Sequence, residues 1–407
     1  MNNLIAVRMT RQGADARAGA FSALGERARR GSLGLLLLAS QLGLGACTAR
    51  QVQYATVASL PATAGPARAS LFLVGDVGEA NPARDSVLTH LGGEIESAAR
   101  DGAPVVVAYL GDNIYEVGAR EEFREEDRAK LGAQVAPLGT RANVRGVFVP
   151  GNHDWAKGAS EAVGRNAIRI QQEWLSDLAA GRDVALLPED ACPGPATLDL
   201  GESAHLVFID TEWLLREPVD RCGGADGFYA RLGAYLARRR EAPVIVMAHH
   251  PMASGGEHGG HVAPLHRGPL GYLASKSGVS IQDIASGAYS DMVERLETAF
   301  EASGRPPLVH AAGHDHNLQV IRMAGPGRPA YQLVSGSGSK TSNAGRTEGT
   351  RYATNGNGYM RLDFRPASVR LVIYAQTVAG GTVEPVFSCD LSGGGGCPEA
   401  PLLGRRP

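Results

Sequence analysis

The chain has 407 residues, 43% of them hydrophobic, which is ample for one large core or two domains. Its formal net charge of −2 argues against a nucleic-acid binder that depends on a basic field. Glycine and proline, 53 and 23 residues, are frequent enough to announce many loops.

Residues 1–46 read as an export signal. Arg8, Arg11, Arg17, Arg27, Arg29 and Arg30 stand against Asp15 and Glu26, and the apolar run LGLLLLASQLGLGAC follows, ending at Cys47. A basic stretch, a short apolar run and small residues before a cut site mark a signal peptide. The run is too short to span a bilayer comfortably as a helix. LGAC at 44–47 resembles a bacterial lipobox, so a lipid anchor at Cys47 is expected, giving a cell-envelope lipoprotein that faces the periplasm or the exterior. The alternative is an ordinary signal peptide cut nearby and a secreted product. Residues 47–68 are small and polar with two prolines, and read as a flexible tether.

From residue 69 apolar, β-branched runs recur: SLFLVG, PVVVAYLG, RGVFVPG, HLVFID, PVIVMAHH and PLVHAAGH. Each reads as a buried strand. Between them, 83–100, 158–180 and 290–303 carry helical spacing. Strands alternating with helices predict an α/β fold. Residues 252–290 form a long connection containing His258, His261 and His266, of the kind that serves as a lid or binding loop. AYQLVSGSG and GYMRLDFRPASVRLVIYAQ then read as strands of a second sheet, the latter a hairpin turning at RPAS. The domain is expected to span 69–378. The glycine-rich remainder, 379–407, reads as an irregular tail. Besides Cys47 the cysteines are Cys192, Cys222, Cys389 and Cys397. In an exported protein they suggest two disulfides, and short loops favour Cys192–Cys222 and Cys389–Cys397.

Chemistry-bearing residues crowd the strand ends. GDVG brings Asp76, GDNIY Asp112 and Tyr115, GNHD Asn152, His153 and Asp154, AHHP His249 and His250, and GHDH His314 and His316. In open α/β sheets strand carboxyl ends face the ligand crevice. Any one motif alone is more often a turn or satisfied packing. Five together would place costly ionisable groups in one crevice without neutralising cations. Carboxylates, an amide oxygen and imidazoles suit hard to borderline ions, and so many ligands exceed one tetrahedral zinc. They fit two metals sharing a carboxylate, the usual device for in-line displacement at phosphorus.

The motif order GDVG, GDNIY, GNHD, VMAH, GHDH resembles the calcineurin-like metallophosphoesterases, most of all the purple acid phosphatases of the small tartrate-resistant type. The resemblance covers about residues 69–378. It implies a four-layer α/β/β/α sandwich of two mixed sheets flanked by helices. General members carry a histidine where this chain has Gly78; purple acid phosphatases share that replacement and compensate with a tyrosine at the place of Tyr115. The resemblance further implies Asp76, Tyr115 and His316 on a ferric ion. Asn152, His249 and His314 would hold a divalent Fe, Zn or Mn ion, and Asp112 would bridge the two. A metal-activated hydroxide would attack a phosphomonoester, with His153 and His258 binding phosphoryl oxygens or protonating the leaving group. The implied partner is a small phosphoester; the protein is expected to be a monomer that binds no nucleic acid. His250, Asp315, Asp154 and Asp210 are expected in supporting roles. Two other readings compete: a phosphodiesterase or nucleotide pyrophosphatase on the same scaffold, and a tethered binding protein on a retired enzyme. The unbroken ligand set argues against the second.

Overall fold

Every residue of the strand Ala69–Val74 (β1) is buried, and its side chains divide by parity. Leu71 and Leu73 enter one apolar cluster, Phe72 and Val74 another. That is the period of two expected of a strand covered on both faces. The computed structural model describes residues 54, 66–79, 86–216, 222–238, 241–258, 281–284, 286–392 and 396–402. The export segment, Cys47, most of the tether, His261 and His266 lie outside the described residues.

The same parity runs through Val105–Tyr109 (β2), Val144–Phe148 (β3) and Asp183–Leu186 (β4), which continue parallel to β1 in one seven-stranded sheet. The second sheet holds Ala196–Leu200 (β5), Ala204–Phe208 (β6), Val244–Met247 (β7), Val309–Ala312 (β8), Leu318–Arg322 (β9), Tyr331–Ser335 (β10) and Thr350–Thr354 (β11), in the order β11-β9-β10-β8-β7-β6-β5. Its β6, β7, β8 and β10 are parallel, with antiparallel strands at both edges. The sheets bury Leu71, Val106, Val147, Phe208, Met247 and Leu333 in the core that they share. The other faces are covered by amphipathic helices Ser86–Ala99 (α1), Arg124–Val135 (α2), Glu161–Ala179 (α3), Thr211–Arg216 (α4), Gly224–Leu236 (α5) and Gly287–Ala302 (α6), whose Leu91, Leu131, Trp174, Trp213, Leu232 and Phe300 pack there. Two mixed sheets between helical layers are the expected sandwich. Among the described residues no helix is long and apolar enough to cross a membrane.

Two expectations change. The hairpin Gly358–Arg365 (β12) and Ser368–Gln376 (β13) turns between Arg365 and Ser368 as expected. It joins the first sheet, however, because β12 pairs antiparallel with β1, Leu71 opposite Leu362. Only AYQLVSGSG contributes to the second sheet, as β10. The domain also runs past residue 378: Val383–Asp390 (β14) is the sheet's edge strand beside β13. Val386, Phe387 and Cys389 of that strand are all buried, in a segment whose glycines otherwise suggest an irregular tail. Both expected disulfides form, Cys192–Cys222 and Cys389–Cys397. Tyr54 bridges to Leu402 and packs on Tyr352, so one residue of the expected tether is docked on the fold.

Candidate metal centre

Because β1, β2 and β3 are mutually parallel, as are β6, β7 and β8, each sheet sends several carboxyl ends to one edge. At the site the two sheets are tied together directly. The His314 backbone N–H donates to Asp76 Oδ2 at 2.9 Å, Gly75 N–H to the Ser335 carbonyl at 2.7 Å, and the Ser335 hydroxyl to the Leu73 carbonyl at 2.7 Å. Asp76, Asp112 and His314 all adopt left-handed backbone, with φ of 59°, 53° and 70°. Non-glycine residues seldom do so without cause, and such outliers cluster at functional sites.

All seven expected ligands fall into two adjoining groups that share Asp112. In the first, the Tyr115 hydroxyl donates to Asp76 Oδ1 at 3.0 Å and lies 3.1 Å from His316 Nε2. His316 Nε2 is 3.4 Å from Asp76 Oδ1. In the second, His249 Nε2 lies 3.0 Å from Asn152 Oδ1, 3.2 Å from His314 Nδ1 and 3.4 Å from Asp112 Oδ1. Asp112 also falls within 4.8 Å of the donor atoms of Asp76 and His316, so it belongs to both groups.

The histidine tautomers test whether cations fit here. His249 Nδ1 faces the Leu110 carbonyl at 2.8 Å, and His314 Nε2 faces the Gln282 carbonyl at 2.9 Å. A carbonyl accepts only, so each ring carries its proton on that nitrogen. His249 Nε2 and His314 Nδ1 then present lone pairs to each other, to the Asn152 oxygen and to a carboxylate. Such a convergence of acceptors attracts positive charge and suits a cation. Carbonyl partners of this kind are how proteins orient metal-binding imidazoles. The electrostatics agree. Burial lowers the His249 pKa, but Asp112 and Asp76 outweigh it and hold it above the ordinary value. Burial, then Asp76 and Asp112, push the Tyr115 phenol well above its usual range. Only a nearby cation could turn that phenol into a phenolate ligand near neutral pH.

Residues 70–318 match the family model of the calcineurin-like phosphoesterases. The chain belongs to that family. It is thus a metal-dependent phosphoesterase, and the two donor groups accord with a dinuclear site. Its fold is similar to that of GAP50, the anchor in the inner membrane complex of Plasmodium, with 14% identity and a TM-score of 0.54 over 79% of this chain and 88% of that one. It is also similar to PhoD, with 12% identity and a TM-score of 0.52 over 83% of this chain and 72% of that one. At these identities the likeness is one of fold. No curated protein matches the chain.

Two histidines flank the donor groups of this phosphoesterase. His153 stands edge-on to Tyr115 with 4.5 Å between ring centres, its Nδ1 facing the Glu116 carbonyl and its Nε2 3.9 Å from Asp112 Oδ2. His258 lies 4.4 Å from the His314 ring, with Nδ1 2.9 Å from the buried Asp283 Oδ1. His250 comes near His249 and His314, yet Thr211 and Gln282 engage both its nitrogens at 2.9 and 2.7 Å, so it has no lone pair to offer. Asp154 accepts from the backbone N–H groups of Gly151, Asn113 and Ile114, fastening the second motif to the third. Asp210 accepts from Trp155 Nε1 and caps α4 through Trp213 N–H. Asp315 accepts from the His258 backbone N–H at 2.9 Å.

Sequence reasoning missed Asp283, Gln282, Thr211, Lys157 and Lys340. Gln282 and Asp283 lie in the 252–290 connection, in SIQDIASG, where nothing local sets them apart. Lys340 pairs with Glu79 and Glu116 and holds its ammonium 3.6 Å from the centre of the Tyr115 ring.

Proposed function

We propose that the chain is a phosphomonoester hydrolase of the purple acid phosphatase type. Asp76, Tyr115 and His316 hold a ferric ion; Asn152, His249 and His314 hold a divalent Fe, Zn or Mn ion; Asp112 is shared. One observation carries this reading: the Tyr115 hydroxyl meets both Asp76 and His316, while Gly78 leaves no space for the histidine of other family members. A Cβ at Gly78 would lie 2.6 Å from the Asp112 carbonyl oxygen and 2.8 Å from Tyr115 N.

When bound, the metal pair supplies Lewis acidity for activating water and for neutralising phosphoryl charge. The chain's own groups do the rest. Asp112 and Asp76 orient the donors, and the Leu110 and Gln282 carbonyls fix the imidazole tautomers. His153, which in the free protein accepts from Lys157 at Nε2, takes up a proton there as the dianion binds and donates it to a phosphoryl oxygen. His258, with its Nδ1 proton fixed by Asp283, supplies a proton to the leaving group. Export, with a lipid anchor at Cys47, belongs to the same proposal, and two disulfides suit an oxidising compartment.

GAP50 serves as an anchor, so a shared fold alone leaves hydrolysis open. The test is turnover of an aryl phosphate and the matching bis-aryl phosphate by wild type and Asp112→Asn. Preferential monoester cleavage that falls at least about 100-fold in Asp112→Asn is expected. Exclusive diester cleavage would favour the diesterase; no turnover at all would favour a binding protein.

A further inference from the structure

Three lysines approach the candidate centre, and acids hold two of them. Lys130 donates to the Tyr115 carbonyl at 2.7 Å and pairs with Glu126 and Asp127. Lys340 is held by Glu79 and Glu116 at 2.8 and 3.1 Å. Lys157 differs. Its Nζ lies 3.1 Å from His153 Nε2, and among the described residues no carboxylate forms an ion pair with it. Glu116, the acid whose carboxyl feels its charge, is already joined to Lys340.

The position is built. Lys157 follows the third motif on a turn anchored by Trp155, which is fully buried and donates to Asp210 Oδ2 at 2.7 Å. His153 Nδ1 faces a carbonyl, so its Nε2 accepts from the Lys157 ammonium. The same Nε2 lies 3.9 Å from Asp112 Oδ2. An exposed, uncompensated ammonium is thus held one side chain away from the carboxylate shared by both donor groups.

We infer that Lys157 is a substrate-binding residue that selects phosphomonoesters over phosphodiesters. The inference rests on the phosphoesterase reading above. A dianionic monoester carries three charged, non-bridging oxygens. A diester replaces one of them by an ester oxygen that bears no charge and carries a substituent. The ammonium beside His153 recognises the oxygen that only the monoester keeps charged. A charge-assisted hydrogen bond of that kind is worth about tenfold in binding.

The test compares wild type, Lys157→Met and Lys157→Arg, all metal-loaded and checked for equal thermal stability. For p-nitrophenyl phosphate, kcat/KM of Lys157→Met is expected to fall about tenfold. For bis-p-nitrophenyl phosphate it should fall much less, and Lys157→Arg should keep most of the monoester rate. Inorganic phosphate should bind Lys157→Met about tenfold more weakly by calorimetry. Equal losses on both esters, or none, would overturn the inference while leaving the phosphatase reading intact. Wild type that cleaves the diester alone would refute the monoesterase reading. In that case unchanged phosphate affinity in Lys157→Met would still overturn the role given to Lys157.

Discussion

Gly78 and Tyr115 are joined backbone to backbone: the Tyr115 N–H donates to the Gly78 carbonyl at 3.3 Å, and the Gly78 N–H donates to the Asp112 carbonyl at 2.9 Å. The loop that delivers the phenol therefore lies in the space where a side chain at position 78 would stand. The glycine and the tyrosine form one device, since the loop can enter only where the Cβ is missing.

Gly78→Ala tests that device. Its Cβ would strike backbone atoms of Asp112, Ile114 and Tyr115 at 2.6–2.8 Å, none of which is the end of a flexible side chain. Overpacking of this kind costs about 1–3 kcal/mol. The variant should melt earlier and bind less metal, as read by calorimetry and metal analysis. Wild-type stability with full metal content would show that the loop is not braced on Gly78.

A second prediction concerns His258 and Asp283. If His258 protonates the leaving group, its loss should matter most where that group needs a proton. His258→Ala should slow an alkyl phosphate by about 100-fold and p-nitrophenyl phosphate, whose phenolate leaves unaided, far less. Asp283→Asn should show the same pattern more weakly. A uniform loss across leaving groups would instead assign the pair to substrate binding.

A third concerns pH. Burial pushes the Asp210 carboxyl up to about 7 from 3.8, against the donors Trp213 and Trp155. Between those values the folded state keeps a proton that the unfolded chain has released. Stability from this group is therefore complete below about pH 4 and declines as pH rises to about 7. Denaturant titrations at pH 5 and pH 8 should show wild type losing more stability than Asp210→Asn, by a few kcal/mol at most. Parallel losses in the two proteins would place the Asp210 pKa near its ordinary value.

The sequence made one class of site residue visible and hid another. Asp76, Asp112, Asn152, His249 and His314 each follow an apolar strand within a few residues, so the α/β pattern put them on one edge. Tyr115 stood out because a phenol just beyond such a turn has no local purpose. Asp283, Gln282 and Thr211 reach His258, His314 and His250 only through tertiary packing, and the Leu110 carbonyl that fixes His249 carries no residue type at all. The same limit applies to the fold. Alternation announced β12 and β13 but not which sheet they join, because that depends on the pairing of Leu362 with Leu71 across the chain.

A visible spectrum with metal analysis, on protein lacking residues 1–46, most directly tests the proposed ferric–divalent pair with Tyr115 on the ferric ion. A phenolate bound to Fe(III) gives a charge-transfer band. A purple protein with two metals per chain, at least one of them iron, is expected, and its colour should disappear in Tyr115→Phe. A colourless, fully active protein containing only divalent metal would contradict it.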